Sequence, residues 1–195
     1  MNQKVEKGLA TRRQIIEAAT ILFADLGYAD VSIEAVLKAS GVSRGALYHH
    51  FASKEALFEA VFEAMEIEVA QRVAARSAGA RDVVRGLRAG CDAFLELAQE
   101  KAVRQIVLTD APSVLGWAKW REIDARHGFG LLKASLARAS AGGLLPAELV
   151  DPFAHMLLAS LTEVALMIAR TGEDPDAAAR GKAAAQALIT RMLAA

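Results

Sequence analysis

Residues 32–51 read Ser-Ile-Glu-Ala-Val-Leu-Lys-Ala-Ser-Gly-Val-Ser-Arg-Gly-Ala-Leu-Tyr-His-His-Phe. Two short amphipathic helices joined by a tight turn account for this order. Ile33, Val36 and Leu37 form one apolar stripe of the first helix, which Ser32 caps and whose first turn holds Glu34, where the helix dipole favours an acid. Gly41 permits the turn, Val42 fills the angle between the helices, and Ser43 opens the second one. Ala46 and Leu47 anchor that second helix from beneath. Ser43, Arg44, Gly45, Tyr48 and His49 are left facing outward. Small residues at its start let its N-terminal end approach a groove closely, and that end presents free N–H groups and a positive dipole to phosphate. Such a pair is a helix-turn-helix, its second helix suited to a major groove and its first to crossing the backbone.

Helical periodicity continues in both directions, and no segment alternates cleanly at a period of two. Upstream, a helix is expected from about Ala10 to Leu26, with Thr11 as its cap and Ile15, Ile16, Ala19, Leu22, Phe23 and Leu26 on one face; Gly27 ends it. Downstream, Ser53-Lys54-Glu55-Ala56 opens a fourth helix with Leu57, Val61, Met65 and Val69 on its inner stripe, and Gly79 follows as a break. Further helices are expected at about 80–99, 102–109, 112–139, 152–171 and 175–194, the 112–139 segment breaking near Gly128-Phe129-Gly130. Ala141–Pro146 and Thr171–Pro175 read as loops. The fold class is therefore all-α. An N-terminal three-helix helix-turn-helix domain, residues 1–55, is linked through a helix at about 53–78 to a C-terminal helical bundle, residues 56–195.

Composition agrees with this and narrows the function. The 195 residues are 54% hydrophobic with only four prolines, so a large helical core is affordable almost anywhere along the chain. Lys and Arg total 23, matched by 23 Asp and Glu, so a nucleic-acid surface must be local. Even residues 1–55 hold seven basic groups against six acidic ones. One cysteine, Cys91, excludes an intramolecular disulfide and any multi-cysteine zinc site. Of the four histidines, His49 and His50 are adjacent and diverge, while His127 and His155 have no His or Cys three or four residues away; no metal is expected. No nucleophile motif or phosphate loop accompanies Asp110, His127 and His155, so no catalytic residue is assigned and the chain is not read as an enzyme. Met1–Ala10 lacks the apolar core of a secretory leader, and 152–169 carries His155 and Glu163, which argues for a buried or interface helix over a membrane span. A cytoplasmic protein with no membrane partner is expected.

Three stretches carry a resemblance: Thr11-Arg12-Arg13-Gln14-Ile15-Ile16-Glu17-Ala18-Ala19 with Leu22-Phe23 and Leu26-Gly27-Tyr28; Val31-Ser32-Ile33-Glu34-Ala35-Val36; and Gly41–Phe51 with Lys54-Glu55-Ala56-Leu57. Over about residues 9–62 the chain resembles the TetR (tetracycline-repressor) family of transcriptional regulators. The resemblance implies DNA contacts from Ser32, Ser43, Arg44, Gly45, Tyr48, His49 and Lys54, with Tyr48 and Lys54 on phosphates and Arg44, Gly45 and His49 nearer base edges. It also implies a homodimeric repressor that binds a palindromic double-stranded operator and is released by a small-molecule effector. Dimerisation would use the last two long helices, here Pro152–Thr171 and Pro175–Ala194. No cofactor is implied.

Residues able to meet an effector are harder to single out. Trp117, Trp120 and Arg121 share one helix face, and Cys91, Phe94, His127, Phe129, His155 and Met156 are further candidates. Each reads more often as simple core packing than as a ligand contact. Arg121, Glu122, Asp124 and Arg126 suit a solvated face or dimer salt bridges better than ligand anchoring. Asp110, near a break, reads as a buried polar anchor or as a helix-end residue.

Overall fold

The computed structural model describes residues 3–170, 174 and 176–193, and every regular element among them is helical. The helices are α1 (Gln3–Asp30), α2 (Ile33–Ser40), α3 (Arg44–His50), α4 (Lys54–Ala78), α5 (Val83–Leu97), α6 (Ala111–Val114), α7 (Gly116–Arg126), α8 (Gly128–Ala141), α9 (Val150–Arg170) and α10 (Ala177–Met192). A π-helical stretch, Val103–Asp110, leads into α6, and a 3-10 turn, Ala147–Leu149, leads into α9. The chain forms two compact units: residues up to 65 together with 101–120, and residues 66–100 together with 121 onward. Residues 101–120 thus pack with the N-terminal helices, although they lie beyond residue 55 in sequence.

In the first unit the core is a stripe of α1 advancing by fours. Ile15, Ala19 and Phe23 are each fully buried, and Leu57, Phe58, Val61 and Phe62 of α4 are fully buried with them. The Phe23, Tyr28 and Phe58 rings meet with centroids 5.0–5.8 Å apart. The same stripe next reaches Gly27, which leaves Leu26 on its flank and half-exposed, against the expectation that it faces inward. α1 begins well before Ala10, so Thr11 is interior; instead of capping, its hydroxyl donates to the Lys7 carbonyl at 3.0 Å. Gly27, with φ of 78°, interrupts the helix as expected, and a last turn then runs to Asp30.

The 102–109 segment was expected to be α-helical but is wider. The Ala111 N–H donates to the Ile106 carbonyl, and the Thr109 hydroxyl to the Arg104 carbonyl at 2.9 Å, each five residues back. Side chains tie this stretch to α1. The Asp110 carboxylate accepts the Tyr28 N–H at 2.8 Å and the Gln105 amide at 3.0 Å, and Lys101 pairs with Asp25 at 2.7 Å. Asp110 is therefore a polar anchor.

The second unit packs α5, α8, α9 and α10 around Leu95, Leu136, Leu157 and Ile189, all fully buried. α5 starts at Val83, three residues after the expected start, because Asp82 caps it by accepting the Arg85 N–H at 2.8 Å. The 112–139 segment is broken twice. Gly116 takes a φ of 73°, and His127 (φ −122°, ψ −90°) ends α7 one residue ahead of the glycines, which form the first turn of α8. Pro152 lies in the first turn of α9, where its missing N–H has no intrahelical partner to lose. The expected loop at 171–175 and the expected helix limits at Thr171, Pro175 and Ala194 lie outside the described residues, Asp174 excepted; α10 starts at Ala177. The segment Ala147–Arg170 is long and apolar enough to cross a membrane by length and composition, and 28% of its apolar window is buried within the chain.

α9 and α10 approach closely at Gly181, where a Cβ would lie 2.8 Å from Val164 Cγ1 and 2.9 Å from Ile168 Cδ1. Gly181→Val should therefore destabilise the fold by about 1–3 kcal/mol through overpacking. The check is urea unfolding, with a lower midpoint and an unchanged slope. An unchanged midpoint would mean that the two helices do not hold this spacing.

Candidate nucleic-acid interface

Both helices of the turn are fixed at their ends by their own serines. Ser32 Oγ accepts the Ala35 N–H at 3.1 Å and Ser43 Oγ accepts the Ala46 N–H at 3.2 Å. Each hydroxyl hydrogen stays available for an external acceptor. Gly41, at φ 68°, closes α2 by sending its N–H to the Leu37 carbonyl at 2.9 Å. α1 holds the corner, because the Gln14 side chain donates to the Ser40 carbonyl at 2.7 Å. Leu47 is fully buried and Phe51 nearly so, which sets the roll of α3.

Ser32, Ser43, Arg44, Gly45, Tyr48 and His49 are all exposed, and a Cβ at Gly45 would meet nothing within 4 Å. Arg44 does not extend freely. Its guanidinium contacts the Glu34 carboxylate at 2.6 Å, and that hydrogen bond holds the Glu34 carboxyl below the usual carboxylate range. Lys54, half-buried at the start of α4, has its Nζ 4.2 Å from the Tyr28 ring centroid and donates to the Ala29 carbonyl at 3.3 Å. Arg12 lies 5.3 Å over the Phe51 ring. The His50 imidazole is pushed down by burial, with the neighbouring His49 and Arg12 adding to the effect. Arg12 and Lys54 are thus held over the Phe51 and Tyr28 rings, and Arg44 lies beside the exposed Tyr48. Such a surface offers cations and hydroxyl donors to phosphates and leaves the bare N-terminal turn of α3 for base edges.

Sequence reasoning reached six exposed members of this face and Lys54, and it missed the residues that position them. Arg12 stands 39 residues from Phe51, and Tyr28 stands 26 from Lys54. Glu34 was read only as a first-turn acid. Its separation of ten residues from Arg44 becomes a contact once the two helices are folded about Gly41.

The effector candidates fall in different places. Cys91 is buried in α5 and its thiol is pushed up to about 12 by burial, which makes it a packing residue with little thiolate character. Phe94, on the same helix, is half-buried. Trp117 is 65% exposed and its ring meets that of the buried Trp120 at 5.1 Å. Arg121 pairs with Asp124 at 3.0 Å, and its guanidinium lies 5.9 Å over the Phe129 ring. The Phe129 and His155 rings are 4.5 Å apart. His127 sits at the α7–α8 junction, and Met156 is exposed. The structure brings together Arg121, Phe129 and His155, and separately Trp117 and Trp120. Among the described residues, no group of three or more His, Cys, Asp or Glu is placed to hold a metal ion.

Comparison with known proteins gives a consistent result. Residues 15–61 match the sequence pattern of bacterial regulatory proteins of the tetR family, and residues 84–194 match the tetracyclin repressor-like C-terminal domain. A TetR-family transcriptional regulator from Pectobacterium atrosepticum superposes with a TM-score of 0.80 at 32% identity, covering 99% of this chain and 98% of that one. The fold is also similar to that of a transcriptional regulator, FadR, from Bacillus subtilis in complex with stearoyl-CoA (TM-score 0.75, 18% identity, 91% and 96% covered). An HTH-type transcriptional repressor of Mycobacterium tuberculosis is 36% identical over 110 residues, which are 56% of this chain and 58% of the relative. Across this repressor and the A-factor receptor protein of Streptomyces griseus, the matched stretches span from 58% down to 22% of the relative's length.

The exposed Arg44–Glu34 pair predicts a gain on mutation. Glu34→Gln should leave the thermal midpoint nearly unchanged while raising affinity for duplex DNA several-fold, because an acid is removed from the face and Arg44 is released. Fluorescence anisotropy with a labelled duplex at fixed salt measures this. Weaker binding would assign Glu34 the role of aiming Arg44.

Proposed function

We propose, from the premise that this chain belongs to the tetR family of bacterial regulatory proteins, that it is a homodimeric repressor which binds a palindromic operator and is released by a small-molecule effector. Residues 1–55 read the DNA, and residues 56–195 hold the effector and the dimer contact. The reading assigns the chain no reaction and no resident cofactor, and it places the protein in the cytoplasm.

The observation that carries this reading is the outward face of α3. Its N-terminal turn is capped, its first residues are small, and Arg44, Tyr48 and His49 stand exposed beside the anchored Lys54. Ser43, Tyr48 and Lys54 meet phosphates; Arg44, once it exchanges Glu34 for DNA, reaches a base edge with Gly45 and His49. Ser32, opening α2, contacts the backbone. A palindrome requires two copies whose recognition helices enter major grooves about 34–36 Å apart. α9 and α10 supply a surface for this, since a cleft of about 100 Å³ lies between them, lined by Leu157, Ser160, Leu161, Val164, Ala184, Ala185 and Leu188. Packing of this face against its copy would cover the exposed apolar surface of α9.

Effector release needs a conformation that binds ligand better and DNA worse, with a coupling on the order of 1–3 kcal/mol. Arg121, Phe129 and His155 are the polar and aromatic candidates brought together for that ligand. Trp120, Trp117, Phe94, Cys91 and His127 are the further candidates, and the exposed Met156 fits a subunit contact at least as well. The Bacillus subtilis relative in complex with stearoyl-CoA supports a small-molecule effector of some kind.

The test is selection from a pool of random duplexes, with the wild type and the Tyr48→Ala, Lys54→Ala double variant run in parallel. The wild type should enrich a palindrome, and the double variant should lose it. For each phosphate contact removed, the slope of log K against log salt should fall by roughly 0.9. A folded wild type that enriches no sequence at any salt overturns the proposal.

A further inference from the structure

The N-terminus of α8 is built on two acids. The first N–H groups of any helix lack intrahelical acceptors, and a buried helix start needs partners for them. Here Glu66, from α4, accepts the Gly128 N–H, and Asp124, from α7, accepts the Phe129 N–H. Both residues are 5% exposed. Glu66 Oε2 and Asp124 Oδ1 each come within 3.3 Å of the point where a Cβ on Gly128 would stand, so the two carboxyl groups converge on one backbone site. Two like charges so close and so little hydrated cannot both persist.

The surrounding charges fall on the Asp124 side. Arg121 Nη1 contacts Asp124 Oδ2 at 3.0 Å, and His155 of α9 adds a weaker attraction to the same carboxylate. His155 itself lies 3.7 Å from Asp151, which also pairs with Lys133 of α8. His127 forms the turn between α7 and α8. The charges of α5 are engaged elsewhere: Arg88 with Thr190, Asp92 with Gln186, and Glu96 with Lys182 and Arg76. Glu66 therefore carries the burial with its chief charged neighbour an acid.

We infer that Glu66, beside the charged Asp124, holds a proton that locks the first turn of α8, and that loss of this proton at alkaline pH opens the α7–α8 junction. Arg121 settles the charge on Asp124, so the proton resides on Glu66, whose carboxyl can accept from Gly128 through one oxygen and donate through the other. In keeping with this, burial followed by the Asp124 charge pushes Glu66 up to about 8. The direction of the stability effect follows. Below the ordinary carboxyl value of 4.5 both folded and unfolded chains hold the proton. From there to about 8 only the folded chain holds it, so stability is greatest at the acid end and declines as pH rises through this window. One proton makes the unfolding constant grow up to about tenfold per pH unit.

Glu66→Gln imitates the protonated acid and tests the lock. The variant should match the wild type at the acid end and exceed it above neutrality, with this proton's contribution gone from the pH dependence of its urea midpoint. Amide exchange at Phe129 and Gly130 supplies a local readout. In the wild type it should accelerate between about pH 5 and 8 beyond the tenfold per unit due to base catalysis, and in the variant it should not. The Glu66 carboxyl resonance, followed by carbon NMR in the wild type, decides the matter even where the variant fails to fold. A titration near 4.5, or a variant that keeps the wild-type pH slope, overturns the inference.

Discussion

A helix of seven residues does not persist in water by itself, since nucleation costs more than so few hydrogen bonds return. α3 exists because Leu47 is fully buried beneath it and Ser43 closes its first turn. That single point of burial also decides which residues face out, for a rotation of α3 would lift Leu47 into water and sink Tyr48. The rest of the first unit serves this constraint. Gln14 pins the corner before the turn, Phe51 stops the helix, and Asp110 ties the far end of α1 to the π-helical stretch.

Electrostatics on this face has a different character from that beneath α8. Arg44 and Glu34 meet in full exposure, where water competes and salt screens, so the pair costs little to exchange for a phosphate or a base. Lys54 is held by a ring and a carbonyl, which restrain its position and leave its charge unneutralised. Glu66, withdrawn from water beside the Asp124 charge, answers instead by holding a proton. The same residue types thus act as exchangeable partners in one unit and as a proton store in the other.

Much of this was legible in the sequence wherever a pattern is local. Ser32 as the cap of α2, Gly41 at the turn and the Leu57–Val61–Met65–Val69 stripe follow from local rules of capping and helix periodicity, and each stands in the structure as read. What escaped depends on distance along the chain. Arg12 with Phe51 and Lys54 with Tyr28 are pairs that no helical spacing announces. Asp124 lies in a run, Arg121 to Arg126, whose charge suggests a solvated face, yet the structure buries that acid beside Glu66 of α4. Thr11 looked like a cap because the residues before it are polar, yet helix formation needs no apolar stripe when the helix continues from a packed one. The π-helical turn at Val103–Asp110 left no periodic trace, because an eight-residue window fits either winding.

That wider winding has a consequence for how this chain can vary. A π-helix holds more residues per turn than an α-helix over the same path, so Val103–Asp110 contains surplus length folded into its width. Removal of one residue would let the stretch relax to ordinary winding along the same path, since one fewer residue at a larger turn per residue ends in nearly the same direction. The Asp110 carboxylate would then stay in reach of the Tyr28 N–H, to which it is bound across 82 positions. The stretch is thus held to its side chains, with Val103, Ile106, Val107 and Leu108 all buried, while its residue count can fall by one.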